Sequence, residues 1–329
     1  MQISFLTVLI AVVSLVLLAV PGFLLTKTKL LGEKAQSAFS TFVLYGAQPC
    51  MVLMGFQNTR FNQEIGLNVL IVALITVVVH LIMAGIVCLV IKIKNNVDKQ
   101  RVVRYGSMFS NCGFMGFPFL QMVFAGSEYL GEVMIYAAVV VAIFNVLSWT
   151  LGVYIVTGDK KNVSLKKIIT NPTIIAVIIG FVLFFTVKVP FVKLPTPGTT
   201  LSTIVSKLVN SINVIGDTVT PLSMTVIGMK LAGANFKGLF LDGYGYLVCF
   251  MKLVLMAIVT MLCVCFLPIA ETIKYVLVFL LAMPCATSTA LYPTLYGGDG
   301  KSATSYVLLA CICCIITIPL MFLLFTALL

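Results

Sequence analysis

Two short segments of the chain combine residues that interrupt a helix with residues that bind small polar solutes. Residues 110–118 are SNCGFMGFP and residues 283–293 are MPCATSTALYP. Proline lacks an N–H and its ring clashes with the carbonyl four residues earlier, while glycine permits unwound backbone. The half-helix after such a break directs the positive end of its dipole at the gap. Both segments therefore favour noncovalent binding of a small anion.

The candidate binding residues follow from these two breaks. Pro118 is expected to free the carbonyl of Phe114, and Pro284 that of Leu280. The alternative that stays open is that both segments are ordinary proline kinks, which are common in membrane helices, with their hydroxyls bonded back to their own backbone. The predicted substrate-binding residues at the breaks are Asn111, Gly113, Gly116, Pro118, Pro284, Thr287, Ser288 and Thr289.

Two amides elsewhere in the chain join this set. Gln48 precedes a proline, and Asn145 lies within a long apolar stretch. Both are candidates for substrate binding, although buried amides serve equally well as hydrogen bonds between helices. Trp149, the single tryptophan, is predicted to be an anchor at the membrane interface.

The elements that hold these residues are membrane helices, because the chain is too apolar for a water-facing surface. Of its 329 residues, 61% are hydrophobic and 9% are charged, and the mean hydropathy is +1.16. An ordinary soluble chain carries about 25% charged residues. The composition excludes a soluble enzyme and predicts an all-α polytopic membrane protein.

Ten spans are predicted from the requirement of roughly 20 apolar residues to cross a bilayer core of about 30 Å. The clear spans are 3–25, 66–91, 132–156, 171–189, 243–267 and 304–328. The spans interrupted by Gly, Pro or polar residues are 37–57, 105–125, 212–232 and 275–296. Residues 201–211 form an amphipathic stretch that is expected to lie along the interface.

Basic residues fall mainly on one side of a ten-span chain, and such an excess marks the cytoplasmic side. The predicted location is a cell (inner) membrane with both termini extracytoplasmic. The predicted cytoplasmic residues are Lys27, Lys29, Lys34, Lys92, Lys94, Lys99, Arg101, Arg104, Lys160, Lys161, Lys166, Lys167, Lys230, Lys237 and Lys301. The outer side has Arg60, Lys188, Lys193 and Lys274. Because these clusters lie between apolar runs, the net charge of +11 does not indicate nucleic-acid binding.

The two halves of the chain resemble each other in the placing of their breaks. A shift of 172 residues (221 − 49) lays Pro49 on Pro221 and His80 on Lys252, and the two interrupted segments then coincide. Because each half has an odd number of spans, the second is inserted upside down, a pattern typical of secondary transporters. The predicted organisation is a first repeat over 1–156, a cytoplasmic linker over 157–170 and a second repeat over 171–329.

Three ionisable residues within predicted spans are candidates for coupling or support. Lys252 is predicted to brace a broken helix through freed carbonyls, while His80 or Asp217 takes up a proton that accompanies the anion. The alternative is that Asp217 pairs with Lys252 and His80 stays uncharged, since buried charges are usually paired.

Enzymatic chemistry is not indicated. The ten cysteines all lie in apolar segments with no histidine nearby at ligand spacing, and one histidine in the whole chain provides no partner for a nucleophile. We therefore predict no enzyme, no metal site and no cofactor.

At its breaks the chain resembles the auxin efflux carrier family of membrane transporters, which includes plant auxin exporters and bacterial permeases for malate, malonate and other organic acids. The residues that carry the resemblance are Asn111-x-Gly113-x-x-Gly116-x-Pro118, Asn171-Pro172 with Gly180, Pro221-Leu222 with Ile227-Gly228 and Leu231, and Pro284 with Tyr296-Gly297 and Asp299. The resemblance implies ten helices in two inverted five-helix repeats, a scaffold part, a transport part and crossed broken helices that hold the substrate. The short linker is similar to that of bacterial-type members.

The predicted function is secondary active transport of a small organic anion, a carboxylate, by alternating access. An anion channel and an auxin-like weak-acid exporter stay open as alternatives. A co-transported proton or sodium ion, membrane lipids and a homodimeric partner are further expectations.

Overall fold

The computed structural model describes residues 3–57, 59, 62–233 and 239–329. Two of the basic residues assigned to sides of the membrane, Arg60 and Lys237, lie outside the described residues. In chain order the helices are α1 Phe5–Lys27, α2 Glu33–Gln57, α3 Gln63–Val90, α4 Val97–Gly106, α5 Cys112–Val123, α6 Leu130–Thr157, α7 Leu165–Ile169, α8 Pro172–Val187, α9 Thr200–Asp217, α10 Val219–Ala232, α11 Gly243–Val264, α12 Glu271–Leu281, α13 Ser288–Tyr296 and α14 Gly300–Leu328.

Six of these helices are long and apolar enough to cross a membrane, among the described residues. They are α1, α2, α3, α6, α11 and α14. A seventh span is formed if Lys160–Ile169 and α8, which meet at a bend of 46°, are taken together. The chain is thus a multi-pass, all-helical membrane protein.

The predicted spans that do not pass this test are divided or short. The spans 105–125, 212–232 and 275–296 are interrupted at 107–111, at Thr218 and at 282–287, respectively. The span 171–189 was predicted as a clear one, but α8 has 16 residues and ends where Lys188 adopts a left-handed conformation. Local breaks therefore shorten the helices below the length of an uninterrupted span.

The amphipathic stretch over 201–211 belongs to a longer helix than the sequence indicated. α9 runs on to Asp217, and Thr218 alone separates it from α10. Pro221 lies near the start of α10 and has no N–H for the carbonyl of Asp217, which explains the interruption. α9 packs against the second half of α2, where a Cβ on Gly216 would approach the Met51 backbone at 2.9 Å.

The helices pack in two sets of neighbours. α1 crosses α10 with the two backbones in close contact, since a Cβ on Gly22 would meet the carbonyl of Thr225 and one on Gly228 that of Ala19. α8 and α9 flank the second half of α2. In the other set, α3 packs on α6 and α11, α6 on α12, and α14 on α11 and α13.

Four π-helical segments interrupt the regular helices of the described chain, namely Val43–Ala47 in α2, Cys112–Gly116 in α5, Ser148–Gly152 in α6 and Phe250–Leu255 in α11. A π segment inserts an extra residue into the turn and rotates the side chains that follow it. Such segments occur frequently at functional sites. Residues from the first three line one cavity, and the fourth carries Lys252.

Candidate functional site

The two interrupted segments meet and bond to each other through their backbones. Ser110 and Cys285 form an isolated antiparallel bridge. The Asn111 N–H donates to the carbonyl of Pro284 at 2.8 Å, and the Ala286 N–H donates to the carbonyl of Phe109 at 2.9 Å. Unwound backbone inside a membrane needs hydrogen-bond partners. Here each break supplies them to the other, which fixes a crossing of the two segments.

The first break lies earlier in the chain than the position predicted from Gly113, Gly116 and Pro118. α4 ends at Gly106 and the unwound residues are 107–111, so Pro118 lies inside α5 and not at the break. The π turn accommodates Pro118, because the N–H groups of Gly116 and Phe117 bond five residues back, to Asn111 and Cys112. The prediction that Pro118 opens the break was therefore wrong. The second break lies where the sequence predicted it, since Pro284 itself is in the unwound segment.

A cavity of about 430 Å³ lies beside the crossing. Six of the predicted binding residues line it, and they are Gln48, Asn111, Gly113, Asn145, Thr287 and Ser288. Its exposed lining residues include Lys167 and Thr170 before α8, and Leu291 and Leu295 of α13. The cavity therefore extends from the crossing to the surface near α7.

Four of the predicted binding residues do not line this cavity, because they are buried in the packing behind the crossing. They are Gly116, Pro118, Pro284 and Thr289. A Cβ on Gly116 would clash with the side chain of Leu280, so this glycine permits α5 to approach α12. Thr289 packs instead near Gly106, where a Cβ would lie 3.2 Å from its methyl group.

Asn111 lines the cavity and carries an unused hydrogen-bond donor. The residue is 3% exposed, and its Nδ2 atom has no hydrogen-bond partner. A buried polar group without a partner costs free energy unless something else satisfies it. Gln48 lies close by, since a Cβ on Gly113 would come within 2.6 Å of its Nε2 atom. Glycine at 113 therefore leaves room for the second amide.

A chain of hydroxyls that the sequence did not reveal joins three helices at the cavity wall. The Tyr105 hydroxyl donates to Ser288 Oγ at 2.8 Å and lies 2.7 Å from Ser148 Oγ, which lies 3.0 Å from the Tyr292 hydroxyl. Each hydroxyl has one proton, so Tyr292 donates to Ser148 and Ser148 to Tyr105. The proton of Ser288 stays available to a molecule in the cavity.

Tyr105 and Tyr292 escaped prediction because tyrosine in an apolar segment looks like packing, and their partners lie far away in sequence. One local signal existed, since Ser288 and Tyr292 stand four residues apart on one helix face. Asn145 also lines the cavity, and its Nδ2 atom donates to the carbonyl of Val141 at 2.9 Å. Trp149, predicted as an anchor in the interface, lies in the cavity wall with its ring 4.8 Å from that of Tyr292.

The side of the crossing away from the cavity is bonded by a buried lysine. Lys252 is fully buried, and its Nζ donates to the carbonyl of Leu281 at 2.6 Å and contacts Met256 Sδ at 3.2 Å. Ser110 Oγ donates to the same carbonyl at 3.1 Å. The last carbonyl of α12 therefore receives two side-chain donors where the helix stops.

His80 lies near Lys252, and one of its two ring nitrogens has no hydrogen-bond partner. Its Nδ1 atom is 2.7 Å from the carbonyl of Thr76, so this nitrogen carries a proton. Its Nε2 atom is buried without a hydrogen-bond partner, and the ring lies 5.7 Å from that of Phe109. A neutral His80 thus retains a buried lone pair at Nε2.

The interpretation of Asp217 as a buried group was wrong. It is exposed at the end of α9, a helix that packs on α2 and α10 and not on α11. The proposed pair between Asp217 and Lys252 is therefore excluded, because Lys252 is enclosed on a different set of helices. The structure leaves Asp217 with no place at the crossing.

The fold and the site define an integral membrane protein with a solute-sized cavity beside two crossed helix breaks. The family model for the membrane transport protein family matches residues 7–164 and 159–322, which together cover nearly the whole chain. The chain therefore belongs to the membrane transport protein family, which includes the auxin efflux carriers, as its motifs indicated. No curated protein matches the chain.

Proposed function

We propose that the protein is a secondary active transporter that carries a small organic anion, a carboxylate, by alternating access. The observation that carries this proposal is Asn111, a residue that lines the cavity at the crossing and whose buried amide N–H has no partner. A bound carboxylate would accept from this amide. The unsatisfied donor then becomes a source of binding free energy.

The other groups around the cavity support an anion in preference to a cation. The described lining residues include no aspartate or glutamate. Ser288 retains a hydroxyl proton, and Gln48 supplies a second carboxamide. α5 and α13 both begin at the crossing, so the positive ends of two helix dipoles lie toward the bound solute.

The proposed architecture has ten membrane segments in two inverted five-helix repeats, over 1–156 and 171–329, joined by a linker over 157–170. Four of the ten are interrupted or short helices, of which two cross. The set containing α1, α2, α8, α9 and α10 would be the scaffold, and the remaining helices the transport part. With both termini outside, the cavity mouth near α7 faces the cytoplasm, and the conformation is inward-open.

The proposed coupling uses the buried groups behind the crossing. Lys252 and Ser110 hold the end of α12, which keeps the crossing rigid while the transport part moves. His80 Nε2 is the group proposed to accept a proton that travels with the anion, with sodium as the other candidate ion. An imposed pH gradient should then drive uptake in the native protein and not in His80→Gln, while indifference of the native protein to the gradient would exclude the proton.

Two rival functions are separable by flux measurements. An anion channel would pass solute without saturation or counterflow, whereas a carrier shows both. An auxin-like weak-acid exporter would prefer indole-3-acetate to malonate or L-malate. The short linker favours the smaller acids through its similarity to bacterial-type members of the family.

The decisive experiment measures uptake of radiolabelled malonate, L-malate and indole-3-acetate into proteoliposomes. The native protein should show saturable uptake and counterflow of at least one acid, and Asn111→Ala should lose them while staying monodisperse. Asn68→Ala, which removes a buried amide remote from the cavity, is the matched control. A ligand at 100 times its Kd should also stabilise the protein by about 2.7 kcal/mol. Normal uptake by Asn111→Ala would contradict the proposed site.

The orientation has its own test. Ser164→Cys lies in the linker, and an impermeant maleimide should label it in inverted vesicles and not in intact cells. The native chain, with its ten free cysteines, is the background control. Labelling from outside would reverse the proposed topology.

A further inference from the structure

We propose that Lys167 captures the anion at the mouth of the cavity and thereby sets the apparent affinity for substrate. This inference rests on the proposed transport of an anion. It concerns a residue of the linker that neither the breaks nor the family motifs single out. Three features of the structure identify Lys167: its charge, its position at the cavity mouth, and the aromatic rings that its ammonium contacts.

Lys167 is the one formal charge among the described residues that line the cavity. The other described lining residues are amides, hydroxyls, aromatic rings and aliphatic side chains. A carboxylate that enters the cavity therefore meets a single ionised partner. In a space with apolar walls, that attraction is screened less than it would be in open water.

Aromatic rings, not acidic groups, hold the ammonium of Lys167. Its Nζ lies 4.7 Å from the centre of the Trp149 ring and 5.8 Å from that of Tyr296. The Tyr296 hydroxyl is 3.5 Å away and accepts at the limit of a hydrogen bond. Lys99 pairs with Asp242 and Arg101 with Asp98, and neither ion pair involves Lys167. The charge of Lys167 is thus available to an incoming carboxylate.

The aromatic contacts also restrict the orientation of the Lys167 ammonium. A ring face attracts a cation more weakly than a carboxylate does, but it limits the orientations that a long lysine side chain explores. Trp149 itself lines the cavity and packs on Tyr292, whose hydroxyl belongs to the chain that ends at Ser288. Lys167 is therefore held over the same wall that leads down to the crossing.

The backbone places Lys167 at the mouth by two helix caps. Ser164 Oγ accepts from the Lys167 N–H at 3.4 Å at the start of α7, and Asn171 Oδ1 accepts from the N–H groups of Thr173 and Ile174 at the start of α8. Asn171 also lines the cavity. The linker is thus ordered where it passes the mouth, and the neighbouring Lys166 does not line the cavity.

The test compares Lys167→Gln, Lys167→Arg and the matched control Lys166→Gln in proteoliposome uptake of malonate, L-malate and indole-3-acetate. For the acid that the native protein transports best, Lys167→Gln should raise KM about fivefold with Vmax unchanged, as loss of one partly exposed ion pair. Lys167→Arg should restore the native KM, and Lys166→Gln should not alter it. Higher ionic strength should raise KM in the native protein more than in Lys167→Gln.

Three results would overturn the inference. Equal KM values in Lys167→Gln and Lys166→Gln would exclude a capture role, although the native protein transports an anion. A lower Vmax with native KM in Lys167→Gln would make Lys167 a gate. No saturable uptake of any acid by the native protein would contradict the proposed function as well as this inference. Thermal unfolding of each purified variant shows whether lost packing on Trp149 accounts for the change.

Discussion

The two faces of the crossing differ in how their polar groups are satisfied. On the core face, Lys252 donates to the carbonyl of Leu281, which also accepts from Ser110 of the cavity lining, and the two breaks bond each other's backbone. On the cavity face, the Nδ2 atom of Asn111 has no partner and Ser288 retains a proton. An unwound segment is thus stable in a membrane and still offers donors, because its backbone groups have partners while two side-chain donors of cavity-lining residues do not.

The largest effect is expected on the core face from Lys252→Met, which removes the hydrogen bond from Nζ to the carbonyl of Leu281. This change leaves the Leu281 carbonyl with Ser110 alone and loosens the end of α12, so uptake should be lost. Thermal stability in detergent should fall by about 1–3 kcal/mol, as for removal of a buried hydrogen-bond donor. Ser110→Ala is the milder control and should cost about 1 kcal/mol. Native stability in Lys252→Met would show that the lysine braces nothing.

The next effect is expected on the cavity face from Gly113→Ala. The added methyl group would meet the Gln48 amide, whose Nε2 atom lies 2.6 Å from the Cβ position, and would force that amide away. Apparent affinity for the transported acid should fall about tenfold, equivalent to about 1.4 kcal/mol. Thermal stability should change far less than in Lys252→Met. If both variants lost stability equally, the two faces would not be distinct.

A smaller effect is expected from Tyr105→Phe, which removes the hydroxyl that links Ser148 to Ser288. Ser148 keeps its bond to Tyr292, so one link of the chain remains. We expect a loss of about 1 kcal/mol in stability and a modest rise in KM, because Ser288 is no longer oriented by a donor. Isothermal binding measurements with the transported acid test the second effect. Unchanged affinity would limit Tyr105 to a packing role.

The smallest effect concerns the anchoring of α11, the helix that carries Lys252. Burial raises the pKa of the Asp242 carboxyl, but hydrogen bonds from Lys99 and Tyr306 outweigh burial and hold its pKa below the ordinary value of 3.8. A carboxyl with a lowered pKa stabilises the fold above its unfolded-state pKa and loses that contribution as pH falls through the folded-state value.

Acidification below about pH 4 should therefore reduce the thermal stability of the native protein more than that of Asp242→Asn, which keeps the oxygen that caps α11. The difference should be small because Asp242 is partly exposed to solvent. Parallel acid profiles for the two proteins would show that Asp242 acts through its cap and not through its charge.

Composition and local pattern alone determined the class of protein and the two segments that matter. A chain this apolar has no soluble fold, and proline and glycine at 113–118 and 284 indicate a helix interruption in or near their segments because their effects depend on near neighbours in the chain. The same reasoning gave Asn111, Gly113, Thr287 and Ser288, which line the cavity. It failed for Pro118, because a π turn absorbed the missing N–H and moved the break to 107–111.

The tertiary structure alone decided which residues meet. Tyr105 bonds Ser288 across 183 residues, and Lys252 reaches the carbonyl of Leu281 on another helix. Asp217 also lies within a predicted span, yet it is exposed. Hydropathy and helical period specify which segments are buried and where they bend, but not the rotation of one helix against another. That rotation is set by close packing between distant segments, such as α1 against α10, and it determines which side chains reach the cavity.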